Sequence, residues 1–195
     1  QEDRIAPYLH LSLQAGDDMI LKRMKRRHTR GEAVDLCRRL KAARPDIAFG
    51  ADLIAGFPTE TEEMAARTVQ LIGDCGLSFV HVFPFSPREG TPAARMPQVP
   101  RDVIKARAAR LRQEADTALT GHLTRKNGRF ETVLVEQIRG GRALGKLADF
   151  TDVSIDGEAA VGDRVTVHIK TYATRTLIAE LGLHRDDHQR GDQHG

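Results

Sequence analysis

A rhythm constrains this chain more than any single residue does. Between residues 8 and 120 a short apolar stretch is followed by a longer amphipathic one three times, with an extra helical pattern in the first connection. Tyr8–Leu13 alternates apolar and polar side chains, as a half-buried strand does. Two more strands are predicted at Ala48–Ala55 and Ser78–Phe85, which are rich in apolar, branched or aromatic residues. The helical patterns put Ile20, Leu21 and Met24 on one face, then Ala33, Leu36, Cys37 and Leu40. A third stripe is Met64, Thr68, Leu71, Ile72 and Cys75, and a fourth runs from Ile104 through Ala108, Leu111 and Ala115 to Leu119. Strand–helix recurrence of this kind makes a parallel α/β fold. Three strands do not close a barrel, so the sheet is expected to keep a raw edge at its N-terminal side.

The local signals agree with that rhythm. Asp17 or Asp18 is placed to cap the first helix, and Thr29 with Glu32 has capping-box spacing. Pro45 stops the second helix near Arg44, Gly76 sits where a C-terminal glycine cap belongs, and Pro100 opens the last helix. The pivotal stretch is Ala51–Thr61, where a buried strand runs into Gly56, an aromatic–proline turn and an acidic helix start. Thr59 with Glu62 has the capping-box spacing there. A glycine at the C-terminal end of a parallel strand lets a ligand approach the backbone, at the edge where such folds carry their sites. An ordinary strand-to-helix turn would read the same way. The loop Ser86–Pro92 after the third strand is a second candidate, because loops at strand ends carry function disproportionately.

From about Gly121 the pattern changes. A basic, turn-forming linker, Arg125–Arg129, precedes short β runs at 130–138, 143–147, 153–155, 164–169 and 176–180, most of them separated by glycine turns. Five short strands in this space predict a small antiparallel β-barrel. Its cations include Arg139, Arg142, Lys146, Arg164, Lys170 and Arg175, compatible with RNA binding and equally with a solvated basic rim. The expected division is 1–124, 125–183 and a disordered tail at 184–195, whose His184, His188 and His194 lack an apolar anchor for a metal site.

Composition removes several classes. The net charge is only +3, so its distribution matters more than its sum. No apolar run is long enough to span a membrane, and no signal-peptide pattern opens the chain. Cys37 and Cys75, the only cysteines, fall in predicted helices without metal-ligand spacing, which favours buried thiols in a reducing cytoplasm. The chain opens on Gln1 and runs straight into a strand, so it reads as a fragment of a longer protein that should self-associate through its exposed sheet edge.

Four ordered motifs resemble one family. They are His10–Asp18, Leu21–Thr29 (Leu-Lys-Arg-Met-Lys-Arg-Arg-His-Thr), Asp52–Thr61 and Phe83–Ala93 (Phe-Pro-Phe-Ser-Pro-Arg-Glu-Gly-Thr-Pro-Ala). Together they look like the C-terminal part of a radical S-adenosylmethionine methylthiotransferase, an incomplete (βα) barrel. Gly141–Lys146 and Asp149–Thr151 look like the TRAM domain that follows it. The first two motifs are most similar to the branch that modifies threonylcarbamoyladenosine in tRNA. Two other branches act on isopentenyladenosine in tRNA and on an aspartate of a ribosomal protein. A non-catalytic RNA-binding module is the alternative from another class.

The resemblance implies a radical mechanism with S-adenosylmethionine and a pair of 4Fe-4S clusters. The family's cluster cysteines lie in parts absent from this sequence, so no catalytic or metal-binding residue is expected here, and the fragment alone is expected to be inactive. The immediate sulfur donor is not implied. The resemblance makes this chain the far wall of the cofactor site: Gln14 holding ribose or carboxylate, Ile54 and Gly56 under adenine, and Phe83, Phe85 and Ser86 along the adenine edge. The family pattern Gly-x-Ile-x-Gly-x-x-Glu is met in part, with Asp52 at the first glycine and Thr59 at the glutamate; Glu60 falls one place late and is set aside. His81 reads as a core or a functional histidine, and His10 as pointing inward without an assigned role. For the barrel the implied partner is a tRNA anticodon stem-loop, held by Arg142 and Lys146, with Arg139 and Arg175 next.

Overall fold

A computed structural model describes residues 5–182; the predicted tail and its three histidines lie outside the described residues. The chain divides into two compact units at His122/Leu123.

The first unit holds a three-stranded parallel sheet in the order β1 (Tyr8–Gln14), β2 (Ala48–Ala55), β3 (Leu77–Pro84). α1 (Asp18–Arg23) and α2 (Arg30–Ala43) connect β1 to β2, and α3 (Glu62–Asp74) connects β2 to β3. A 3-10 turn at Pro92–Arg95 and α4 (Arg101–Thr124) follow. Asp17 caps α1 by accepting the Met19 and Ile20 N–H groups, and Thr29 with Glu32 forms the expected capping box on α2. Gly76 follows α3 at φ 61, in the left-handed conformation that ends helices.

Side chains alternate across the sheet, and the two faces differ. Leu11, Leu13, Ala51, Leu53 and Val80 point into a core shared with Cys37, Leu71, Ile72, Ala108 and Leu111 from the helices. His10, Ser12, His81 and Phe83 lie on the opposite face and are exposed; Gln14, Asp52 and Ile54 share it and are half-buried. Parallel sheets are ordinarily covered on both faces unless they close into a barrel. Leu36 departs from its expected inward position and is 37% exposed. Ala33 and Cys37, one helical turn apart, occupy the centre of the α2 contact and leave Leu36 on its flank.

The cysteines are buried and face each other. Their mutual hydrogen bond holds the Cys37 thiol below its ordinary value and, with burial, pushes the Cys75 thiol up. They pack as core residues on α2 and α3.

The second unit is a closed barrel of β4 (Phe130–Arg139), β5 (Arg142–Lys146), β6 (Asp152–Asp156), β7 (Arg164–Ala173) and β8 (Thr176–Leu181), in the order β4-β5-β6-β8-β7. Val133, Val135, Ile155, Val167, Ile169 and Leu177 fill its interior. The expectation of an antiparallel barrel holds for four of its ladders; β6 and β8 pair in parallel, because β7 crosses the barrel before the chain returns as β8. Gly145 is required for closure, since a Cβ there would stand 2.1 Å from the Leu134 carbonyl oxygen. Among the described residues no helix is long and apolar enough to cross a membrane.

Candidate functional site

The site begins with a fault in a strand. The β1–β2 register slips between Leu11 and Gln14, and Gln14 stands at φ 70, unusual for a residue with a side chain. Such bulges re-aim side chains. Gln14 lines a cavity of about 420 Å³ at the C-terminal ends of the three strands. Ile54 joins it from β2, and Phe83, Phe85 and Ser86 join it from the end of β3 and beyond. Phe85 is held there by its N–H to the Ala55 carbonyl, 2.8 Å, and by an edge-on contact with Phe57, ring centroids 5.3 Å apart. Five of the six residues predicted for a cofactor are therefore neighbours. Sequence reasoning missed Asp52 and Arg88 as lining residues. Their positions, two before Ile54 on the same strand face and two after Ser86 in the loop, were the available signal.

Gly56, the sixth, does not line the cavity. It is a buried turn residue at φ 75, and a Cβ there would come within 2.5 Å of Ile104 Cγ1. Its N–H donates to Glu60 Oε2 at 3.0 Å. Arg107 Nη1 donates to the same oxygen at 2.9 Å and to the Glu60 carbonyl at 3.0 Å. The Glu60 side chain is 1% exposed. Burial pushes its carboxyl up, while the Gly56 N–H and the Arg107 guanidinium pull it down. Glu60, set aside on spacing, is thus the carboxylate that closes this turn.

The expected Thr59–Glu62 capping box does not form. Thr59 stands at φ 67 within the turn, and Thr61 caps α3 by accepting the Met64 N–H. Glu62 faces Arg107 and Arg110 instead.

The uncovered face carries a polar chain. Tyr8 Oη lies 3.2 Å from His10 Nδ1, and His10 Nε2 lies 3.3 Å from Asp52 Oδ1. Burial and the nearby Asp52 push the Tyr8 phenol up. His10 is not enclosed as expected; its side chain is 40% exposed on this face. The His81 ring lies 6.0 Å from the His10 ring and is exposed on the same face of this sheet.

The four barrel cations expected to meet RNA lie at the two ends of β5. Arg139 and Arg142 oppose each other at the end of the β4–β5 hairpin, both exposed. Lys146 pairs with Asp152 at the other end of β5, where the register also brings the start of β8, next to Arg175. Phe130, 65% exposed, stacks on His168 with ring centroids 4.6 Å apart.

A three-stranded parallel sheet with a cavity at its strand ends, followed by a closed five-stranded barrel, defines a class: an α/β unit joined to a small β-barrel. Residues 3–72 match the model of the Radical SAM superfamily. A threonylcarbamoyladenosine tRNA methylthiotransferase, MtaB, from Rickettsia prowazekii is 48% identical over 82% of this chain and 37% of its own length. Proteins named tRNA-2-methylthio-N(6)-dimethylallyladenosine synthase are 37% identical in Erythrobacter litoralis, over 92% of this chain and 41% of that protein, and 40% in Zymomonas mobilis, over 85% and 38%. The chain belongs to the radical S-adenosylmethionine methylthiotransferase family. It spans about two fifths of the length of these relatives.

Proposed function

We propose that the protein containing this chain adds a methylthio group to N6-threonylcarbamoyladenosine beside the anticodon of tRNA, in the cytoplasm. The observation that carries this reading is the convergence of Gln14, Ile54, Phe83, Phe85 and Ser86 on one cavity at the strand ends. Its volume, about 420 Å³, suits a nucleoside-sized cofactor, and its mixture of apolar walls and a few polar groups fits S-adenosylmethionine. That cofactor, bound with the family's clusters, supplies radical chemistry and a methyl group. Here Gln14 would donate or accept through its amide to ribose or carboxylate, Ile54 would lie against the adenine, and Phe83, Phe85 and Ser86 would line its edge. Gly56 supports this wall through the Glu60 turn and does not touch the ligand.

On this reading the cluster ligands belong to parts of the protein outside this sequence, since Cys37 and Cys75, its two cysteines, pack against each other as core residues. The same reading implies that the chain alone is inactive. The higher identity to the threonylcarbamoyladenosine enzyme, 48% against 37–40%, favours that substrate over dimethylallyladenosine. The C-terminal barrel, read as a TRAM domain, holds the anticodon stem-loop through Arg142, Lys146, Arg139 and Arg175.

Mass spectrometry of tRNA nucleosides from a deletion strain tests the substrate. Loss of methylthio-threonylcarbamoyladenosine is expected; its persistence, with no second such enzyme present, overturns the reading. Gln14→Ala in the full-length protein should weaken S-adenosylmethionine binding about tenfold, the loss of one polar contact. Unchanged equilibrium dialysis would remove Gln14 from the site.

A further inference from the structure

The basic run Lys22, Arg23, Lys25, Arg26 and Arg27 takes no part in the cavity or the barrel, yet the fold ties it to the cavity's rim. α1 is pinned by Ile20 and Leu21, each 1% exposed, in a small apolar cluster with Ala15 and Phe57. Phe85 and Ala93, which line the cavity, pack against the same cluster. Arg23 Nη1 donates to the Thr59 carbonyl at 3.4 Å, and Arg26 Nη1 to the Ser12 hydroxyl at 3.3 Å. Ser12 shares the uncovered face of β1 with Gln14. The helix unwinds at Lys25, φ 57, and the Arg26 N–H returns to the Leu21 carbonyl at 2.9 Å. The turn is therefore a built one, and Lys22, Lys25, Arg26 and Arg27 are exposed on it.

Charge is the second observation. Several other arginines of this unit meet carboxylates, among them Arg30 with Asp74, Arg38 with Asp35 and Arg110 with Glu62, and those that do not, such as Arg39 and Arg112, are not clustered on one turn. Among the described residues none of these five cations pairs with a carboxylate. A solvated helix face is usually laced with both signs. An unneutralised cluster fits a polyanion, whose counterions it releases on binding.

We propose that this rim binds the phosphate backbone of the RNA strand on either side of the nucleotide presented to the cofactor at the mouth of the cavity. The inference rests on the RNA reading given above. A base presented to a cofactor held at the strand ends brings its flanking phosphates towards this side of the sheet, where the α1 turn offers ammonium and guanidinium donors. Arg23, held on Thr59, shapes the turn; Lys22, Lys25, Arg26 and Arg27 face the phosphates.

The test uses the full-length protein and an anticodon stem-loop RNA, with fluorescence anisotropy across a range of KCl. The variant is Lys25→Asn, Arg26→Gln, Arg27→Gln, asparagine being chosen because it tolerates φ > 0. The slope of log K against log[KCl] should become shallower by about 2, and affinity at ~0.1 M salt should fall at least tenfold. Arg39→Gln on α2 should change neither. Should the triple variant lose its fold, Lys25→Asn alone should shift the slope by about 0.7. A parental slope in the folded triple variant, with Arg142→Ala still weakening binding, overturns the rim and leaves the RNA reading standing. No salt dependence in the parent sinks the RNA reading itself. A parental RNA slope with lost affinity for an acidic peptide assigns the face to a protein and overturns the proposal.

Discussion

At the scale of single residues, the turn after β2 depends on a buried charge pair. Glu60 satisfies the Gly56 N–H and faces Arg107, which is itself 8% exposed. Replacing a buried hydrogen-bonded charge pair by apolar groups is often harmless, but removing one partner strands the other. Glu60→Ala should therefore cost about 3–5 kcal/mol in denaturant unfolding. Gly56→Ala should cost at least ~2 kcal/mol, because the left-handed backbone and the Ile104 contact both oppose a Cβ. Full stability in either variant would show that the turn is closed by something else. Neither partner was legible in the chain: Glu60 sits one place off the family spacing, and Arg107 arrives 47 residues later.

At the scale of elements, caps and stripes were largely readable because they are local. Asp17, the Thr29–Glu32 box, Gly76 and the α4 stripe are settled by residues within one or two turns. The start of α3 was misread because a tertiary demand won: Glu60 turns inward and Glu62 is drawn to Arg107 and Arg110. That pairing carries a pH signature. The Arg110 hydrogen bond, with Arg107 nearby, holds the Glu62 carboxyl below its ordinary 4.5. A carboxylate lowered in the fold contributes stability above its unfolded value and loses it as pH falls through the folded one. The melting temperature of wild type should exceed that of Glu62→Gln at neutral pH, and the gap should narrow as pH falls below the ordinary 4.5 and through the lowered folded value. Glu60, raised by burial, has the opposite linkage sign: its ionisation disfavours the fold as pH rises, which offsets part of what its hydrogen bonds to Gly56 and Arg107 contribute. A Glu62→Gln gap that widens on acidification would reverse the assignment.

At the scale of the whole molecule, one unit is closed and the other is bare. The barrel pairs every strand on both sides. The sheet leaves β1 and β3 at its edges among the described residues, with Leu9 39% and Phe83 51% exposed. Unpaired edges and apolar surface of this kind promote association. The isolated chain should sediment with a weight-average mass that rises with concentration. A constant monomer mass at high concentration would count against it.

The order of strands and helices, the change of fold near residue 121 and the family were determined by the sequence alone, because hydrophobic period, caps and turn residues act over a few positions. Tertiary structure decided which strand-end residues share a cavity, that the Gly56 N–H is taken by Glu60, that β8 runs parallel to β6, and that the α1 cations meet no carboxylate among the described residues. Those outcomes depend on groups distant in sequence meeting across the core. No local pattern encodes which partner a buried carboxylate or an exposed arginine will find.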